Sequence, residues 1–398
     1  MFGDLFTGSQ RVPLSLSLSG RGGSFFLTSL FIELIDPAPA LLERRLVLAA
    51  VGLPKPCVYV SLSIDSVKRQ LMRTLFSVSL LALLFSSAFG SVGFHQLSVL
   101  DPPGKTISVA VWYPSVGEPA SVAVGPFQQT VVGDGPIVGT RLPLVLISHG
   151  TQGSAASHYD TALALAEQGF VAVALTHTGD NYMDQSYAGN RKNLIERPRQ
   201  ASVVLSYMFT VWEKRDHLDP TRIGMFGFSL GGFTTLVEAG GVPDLRRMRE
   251  LCTTRPTAPE CLFIQQRNGD QLSPAVLAPA WTHDSRVKAA VVAAPAVSYL
   301  FGPGSLMGVR IPIQLWRASN DDQVPDEWNT AVIRKELPVP PEEHVVAGGH
   351  YAFLPPCGDA LAKQAPQICA DAPNFNRAAF HREFNREFVA FFRKALAQ

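Results

Sequence analysis

The stretch that decides the fold is RIGMFGFSLGGFTTLVEAGG, residues 222–241. Residues 222–226 are mostly apolar and predict a short buried strand. Residues 230–239 predict an apolar helix that ends at a glycine pair. Ser229 lies where the strand gives way to the helix. A serine at this junction is typical of a nucleophile held on a sharp turn.

The glycines around Ser229 follow from the geometry of such a turn. Gly227 and Gly231 stand two residues either side of the serine. Side chains at these positions would collide with a turn tight enough to expose the serine hydroxyl. The helix that begins at Leu230 also directs backbone N–H groups toward any negative charge that develops there.

Outward from Ser229, apolar strand patterns alternate with helical patterns. Predicted strands cover 94–100, 106–113, 142–148, 170–175, 222–226, 287–293 and 311–316, with a hairpin between the first two and a loop over 117–140 that has room for one short strand. Predicted helices cover 156–168, 191–213, 230–239 and 374–396. This alternation predicts an α/β fold, with a mostly parallel central sheet flanked by helices. Reactive residues in such sheets gather beyond the carboxyl ends of the strands.

A serine hydroxyl needs a base and an orienting acid, and in this architecture they follow in the order serine, acid, histidine. SNDDQVP at 319–325 follows a predicted strand and offers Asp321 and Asp322. We favour Asp322, which directly precedes the Gln-Val-Pro turn, and Asp321 stays open as the alternative. VVAGGHYAF at 345–353 places His350 after two glycines, whereas the rival His344 lies upstream, where we expect one further strand before the glycines.

The oxyanion of an acyl transfer needs two N–H donors. One is expected from Leu230, the residue after the nucleophile. The other is expected from the loop that follows Ser148, where His149-Gly150 makes a tight exit and Thr151 offers its N–H.

The N-terminal part of the chain reads as a targeting region. A basic start, an apolar run over 75–85 and a small-residue site at Gly90 predict a signal peptide over 72–90. We interpret residues 1–71 as an extension that is unstructured or that arises from a wrongly assigned start codon, with Met72 as the true start. Residues 91–398 then form one α/β domain that carries the predicted site. Its location is then expected to be periplasmic or extracellular, without a stable membrane span.

Four cysteines in the domain agree with export. Cys252 and Cys261 are nine residues apart, and Cys357 and Cys369 are twelve apart. Three connectivities are possible, and two local disulfides are the simplest. The spacings do not match a zinc site, and no metal or cofactor is expected. Residues 241–285, which hold the first pair, break the strand–helix rhythm and predict a cap-like insertion after the nucleophile helix.

The charge of the chain excludes one class of partner. The formal net charge is +1 at pH 7, with no long run of like charge. A phosphate backbone is bound by a clustered basic surface, so nucleic acid is not an expected partner.

Several short motifs together resemble bacterial α/β-hydrolases described as dienelactone-hydrolase-like, which are related to platelet-activating-factor acetylhydrolases. The resemblance covers roughly residues 94–395. It rests on Trp112-Tyr113-Pro114-Ser115, His149-Gly150, Gly179-Asp180-Asn181, Arg197-Pro198, Asp-Pro-x-Arg-Ile-Gly at 219–224, Gly227-Phe228-Ser229-Leu230-Gly231-Gly232 and Gly349-His350.

The resemblance implies an eight-stranded α/β-hydrolase fold and metal-free cleavage of a carboxylic ester. It also implies Ser229, Asp322 and His350 as the triad, and Thr151 and Leu230 as oxyanion donors. Dienelactone hydrolases proper use a cysteine nucleophile. The serine here favours ester or lipase-like chemistry instead.

The expected function is therefore that of a secreted serine hydrolase acting on a small-molecule carboxylic ester, short-chain or lipid-like. A peptidase or amidase of the same fold would carry an identical triad. A non-catalytic binding protein on this scaffold is the third reading, and such proteins usually lose a triad member.

Overall fold

The computed structural model describes residues 45–47, 61–63, 90–102, 104–267 and 280–397. The chain divides into two units, Met1–Ala88 and Phe89–Gln398. The predicted signal peptide, except for Gly90, and most of the predicted N-terminal extension lie outside the described residues. In the first unit, strand β1 (Arg45–Val47) pairs antiparallel with β2 (Ser61–Ser63).

A ten-stranded sheet forms the centre of the second unit. Its strands are β3 (Ser91–Leu100), β4 (Thr106–Ser115), β5 (Ala120–Val124), β6 (Phe127–Gly133), β7 (Leu142–Ser148), β8 (Val171–Thr176), β9 (Leu218–Phe228), β10 (Val287–Ala293), β11 (Ile313–Ala318) and β12 (Glu342–Val346). Their order is β12-β11-β10-β9-β7-β8-β4-β3-β6-β5. The six strands from β12 to β8 are parallel, which confirms the mostly parallel sheet.

The far edge of the sheet differs from the prediction. The expected β3–β4 hairpin is present. Residues 117–140 form a second hairpin, β5–β6, where a loop with at most one short strand was expected, so the sheet has ten strands and not eight. Gln129 is a buried position of β6, and its Oε1 accepts a hydrogen bond from Trp112 Nε1 at 2.7 Å. A glutamine that faces the core hides the apolar alternation by which a strand is recognised.

Helices cover both faces of the sheet. They are α1 (Tyr159–Glu167), α2 (Arg191–Thr210), α3 (Leu230–Glu238), α4 (Arg246–Thr254), α5 (Pro259–Gln266), α6 (Thr330–Glu336), α7 (Asp359–Gln364), α8 (Pro366–Cys369) and α9 (Arg377–Ala395). Alternate residues of β7 point to opposite faces, since Val145 packs in the core beneath α1 and α9, while Leu144 packs in the core beneath α2. The sheet is thereby buried on both sides.

The predicted insertion contains two helices, α4 and α5, and its residues 268–279 lie outside the described residues. Its cysteines form the disulfide Cys252–Cys261, and a second disulfide joins Cys357 to Cys369. Both are the local pairs expected from the spacing. In the part of the chain that the structure describes, no helix is long and apolar enough to cross a membrane.

Helix α9 closes one face of the sheet through a row of aromatic rings. The ring of Phe388 lies 5.0 Å from that of Phe226 on β9, and 5.6 and 5.0 Å from those of Phe384 and Phe392. Phe388 is fully buried. The same contacts that close the core therefore support the strand that carries Ser229.

Replacing Phe388 with alanine is expected to lower the free energy of unfolding by about 3–5 kcal/mol, because it leaves a cavity beneath β9. Denaturation with urea measures the change. Glu383→Ala on the same helix is the control, since the Glu383 side chain is 66% exposed. Equal stability of the two variants would contradict this account of the core.

Candidate active site

Ser229 occupies a strained turn between β9 and α3. Its φ and ψ are 54° and −119°, a region that side-chain-bearing residues rarely adopt. Backbone hydrogen bonds hold this conformation, among them one from Ser229 N to the oxygen of Ala293 at 2.8 Å. The oxygen of Ser229 accepts the N–H groups of Gly232 and Ala296 at 2.8 and 3.0 Å. The neighbouring strand β10 thus fixes the turn that presents the hydroxyl.

The two glycines flanking the turn have no space for a side chain. A Cβ at Gly227 would lie 2.0 Å from the oxygen of Gly231, and a Cβ at Gly231 would lie 2.0 Å from the oxygen of Ser148. Both contacts are with backbone, which cannot move aside cheaply. The turn therefore requires glycine at both positions.

A chain of hydrogen bonds joins serine, histidine and aspartate. The Ser229 hydroxyl lies 3.0 Å from His350 Nε2, and His350 Nδ1 lies 2.8 Å from Asp321 Oδ2. All three side chains are almost completely buried. With Nδ1 protonated and donating to the carboxylate, Nε2 is free to accept the serine proton.

The structure corrects the choice of acid, because Asp321 contacts His350 and Asp322 does not. The other oxygen of Asp321, Oδ1, accepts the N–H groups of Gln323 and Val324 at 3.0 and 2.7 Å. This turn fixes the Asp321 carboxylate toward the histidine. The next side chain points the opposite way, so Asp322 is exposed and contacts Gln323 Nε2 at 3.2 Å.

The histidine loop is held against the acid loop. His350 opens a turn of 3₁₀ helix, His350–Phe353, and the N–H of Asn320 donates to the oxygen of Gly348 at 3.1 Å. The rival base His344 lies in β12, and its ring stacks on Trp316 at 4.1 Å between centroids. It contacts neither Ser229 nor Asp321 among the described hydrogen bonds.

A second histidine supports this loop from α9. His381 Nε2 lies 2.9 Å from the oxygen of Ala352, and its Nδ1 lies 2.6 Å from Asp160 Oδ2. Each ring nitrogen of His381 therefore lies within hydrogen-bond distance of one oxygen, so the ring joins the histidine loop to α1. Burial acts to raise the pKa of Asp160, but the hydrogen bond and charge of His381 outweigh it and lower that pKa below its ordinary value. No local sequence pattern indicates this contact, because its residues are far apart in the chain.

The expected oxyanion donors flank the serine. A Cβ at Gly150 would lie only 3.2 Å from Ser229 Cβ, so the loop leaving β7 passes directly against Ser229. Thr151 in this loop and Leu230 at the start of α3 line the same cavity as Ser229 and His350. Neither backbone N–H donates to another group of the described chain.

A cleft of about 1240 Å³ opens above Ser229. It exceeds the roughly 300–1,000 Å³ typical of small-molecule sites. The insertion forms one wall through Met248, Pro259, Phe263 and Ile264, and the segment closed by the Cys357–Cys369 disulfide forms another through Leu361 and Ile368. Each disulfide braces a segment that lines the cleft.

The lining of the cleft is apolar or neutral. Among the described residues that line it there is no lysine or arginine, and Glu260 is its one carboxylic acid. Burial raises the pKa of Glu260, which favours its uncharged form. Within the described residues no group of three or more His, Cys, Asp or Glu side chains is placed to hold a metal ion.

No protein-family model matches the chain, and a search of curated proteins found no match. Among solved structures, the chain is similar to a ferulic acid esterase from Streptomyces cinnamoneus, with a TM-score of 0.54 and 17% sequence identity. The match covers 77% of this chain and 90% of the esterase. The fold is that of an α/β-hydrolase. At this identity the likeness shows the fold alone, and neither the dienelactone-hydrolase-like nor the acetylhydrolase family is shown.

The two neighbouring aspartates allow a matched comparison. Asp321→Asn is expected to lower kcat on an ester by about 10⁴-fold, because an amide in place of the carboxylate favours the wrong tautomer of His350. Asp322→Asn makes the same chemical change at an exposed position, and its kcat is expected to stay within a few-fold of the parent. Steady-state kinetics on a p-nitrophenyl ester measures both. The opposite ranking would contradict the assignment of the acid.

Proposed function

We propose that the chain is a serine carboxylic-ester hydrolase that acts through an acyl-enzyme. The observation that carries this proposal is the continuous hydrogen-bond chain from the Ser229 hydroxyl through His350 to Asp321. The strained φ of Ser229 supports it, since backbone strain of this kind concentrates at functional sites. The likeness in fold to an esterase is compatible with the same chemistry.

In the proposed acylation step, His350 Nε2 takes the proton of Ser229 as Oγ attacks the ester carbonyl. The carbonyl oxygen becomes an oxyanion, which accepts the N–H groups of Leu230 and Thr151. The imidazolium is stabilised by Asp321 and then protonates the departing alkoxide, so that the alcohol leaves and the acyl group stays on Oγ.

In the deacylation step, water enters the place of the alcohol. His350 takes a proton from the water as its oxygen attacks the acyl carbon, and a second oxyanion forms in the same site. Collapse breaks the bond to Oγ, which regains its proton from His350. The products are one alcohol and one carboxylic acid.

The lining of the cleft favours an uncharged substrate. A charged group on the acyl or alcohol part would lose its hydration in the cleft, and no described cation among the lining residues would compensate an anion. Apolar walls such as those of Phe263 and Ile368 suit hydrocarbon or aromatic groups. We therefore propose a neutral ester with an apolar group on each side of the scissile bond.

The same lining weighs against a peptidase that binds a free peptide end, since such an end carries a charge that needs a partner. Retention of all three triad members weighs against a non-catalytic binding protein. Two disulfides support export to an oxidising compartment, periplasmic or extracellular.

Ser229→Ala is expected to reduce turnover of p-nitrophenyl butyrate by on the order of 10⁶-fold, because the nucleophile is lost. A fluorophosphonate probe is expected to label the parent and not this variant, with circular dichroism unchanged. The exposed Ser285 supplies the control, since Ser285→Ala should react and label like the parent. Labelling of Ser229→Ala would exclude Ser229 as the nucleophile.

Substrate charge is tested with three p-nitrophenyl esters of similar chain length, whose acyl groups are hexanoyl, adipoyl and 6-aminohexanoyl. We expect kcat/KM for the hexanoyl ester to exceed both others by at least about tenfold, because an unpaired charge is costly to bury. Rates corrected for the spontaneous hydrolysis of each ester give the comparison. Equal kcat/KM for the adipoyl ester would show that the cleft accepts an anion.

A further inference from the structure

We propose that Arg197, paired with Asp180, is a positioning residue that holds both oxyanion donors in place. The inference rests on the proposed function and extends it to residues outside the triad. Arg197 lies on α2 and Asp180 in the loop after β8. Arg197 Nη1 lies 2.7 Å from Asp180 Oδ2, and both side chains are 0% exposed.

The Arg197–Asp180 pair makes hydrogen bonds to both ends of the loop 149–152, which contains Thr151. Arg197 Nη2 donates to the backbone oxygen of His149, and Asp180 Oδ1 accepts the N–H of Gln152 at 3.0 Å. Thr151 lies between these two anchored residues. Gln152 has a φ of 62°, in the left-handed region that favours glycine. A loop in this conformation persists only where its surroundings fix it.

The same guanidinium reaches the other donor through α3. Arg197 Nε donates to Thr234 Oγ1 at 3.2 Å, and that hydroxyl donates to the oxygen of Leu230 at 3.0 Å. Leu230 supplies the second expected oxyanion N–H. One side chain therefore contacts the Thr151 loop directly and the first turn of the nucleophile helix through a single hydroxyl.

Neighbouring side chains extend the hydrogen-bond network around Arg197 and Asp180. Asn193 Nδ2 donates to Asp180 Oδ2 at 2.7 Å, so the carboxylate is held from two sides. Burial first, and then the charge of Arg197, keep the pKa of His149 well below its ordinary value. A neutral His149 donates from Nδ1 to the oxygen of Gly150 at 2.5 Å and accepts the N–H of His177 at Nε2, at 3.0 Å.

A buried ion pair is weak evidence for stability, since apolar side chains of the same volume often serve as well. Here the pair makes directional contacts that an apolar pair cannot make. A guanidinium presents several N–H groups in a fixed plane, which suits simultaneous contact with a carboxylate, a carbonyl and a hydroxyl. The geometry thus points to placement of the oxyanion donors.

The first test is Arg197→Lys, which keeps the positive charge but cannot make all three contacts. We expect kcat for p-nitrophenyl butyrate to fall about 10²–10³-fold with little change in KM, as on loss of an oxyanion donor. Affinity for a trifluoromethyl ketone, which forms a tetrahedral adduct on the serine, is expected to fall by a similar factor. Binding of the corresponding methyl ether, which has no ketone carbonyl and therefore forms no adduct with the serine, should not change.

Thr234→Val gives a milder test that does not depend on a buried charge. It removes the hydroxyl between Arg197 and Leu230 while keeping the volume, and kcat is expected to fall about tenfold with KM unchanged. Thr234→Ser is the matched control, because it keeps the hydroxyl and should restore most of the rate. If Arg197→Lys fails to fold, the comparison of Thr234→Val with Thr234→Ser tests the proposal alone.

The outcomes separate this inference from the proposed function. A parent protein that hydrolyses no ester and takes no fluorophosphonate overturns the function itself. The positioning role of Arg197 alone is overturned if the parent is active and both Arg197→Lys and Thr234→Val fold with unchanged kcat and inhibitor affinity. A rise in KM with kcat and inhibitor affinity unchanged would assign the pair a structural role and also overturn the proposal.

Discussion

The close approach of two backbone segments at Ser229 is the constraint on which the rest of the site depends. The carbonyls of Gly231 and Ser148 stand where Cβ atoms of Gly227 and Gly231 would be. This contact presses the start of α3 against the end of β7 and brings Ser229 beside the Thr151 loop. The serine cannot relax from its strained φ because β10 also holds its N–H. The energy of packing the sheet on both faces is what maintains the strain.

Around that turn, the site is assembled from loops at one edge of the sheet, each held by a specific contact. The acid is fixed by its own turn over Gln323 and Val324. The histidine loop is tied to the acid loop through Asn320 and to α9 through His381. The two disulfides close two segments that line the cleft. In such folds, a rigid scaffold of strands and helices positions the loops that carry functional side chains.

Much of the fold was predictable because its strands are short apolar runs separated by glycine and proline. The prediction failed where a polar residue faces the core, as at Gln129, and where two like residues stand together, as at Asp321 and Asp322. Adjacent side chains point apart, and which one faces the histidine depends on hydrogen bonds two and three residues onward. The contact between Asp180 and Arg197 joins elements distant in the chain, so no local pattern reveals it, although both residues lie in motifs that carried the family resemblance.

In the proposed mechanism, an ester forms a covalent acyl intermediate on Ser229, and His350 and Asp321 support its formation. The most direct measurement is mass spectrometry of peptides from protein quenched in acid during turnover of p-nitrophenyl pivalate, whose bulky acyl group leaves the enzyme slowly. The account predicts a pivaloyl adduct on the peptide that contains Ser229, absent before the ester is added. Turnover with no adduct on that peptide, or with the adduct on another residue, would contradict it.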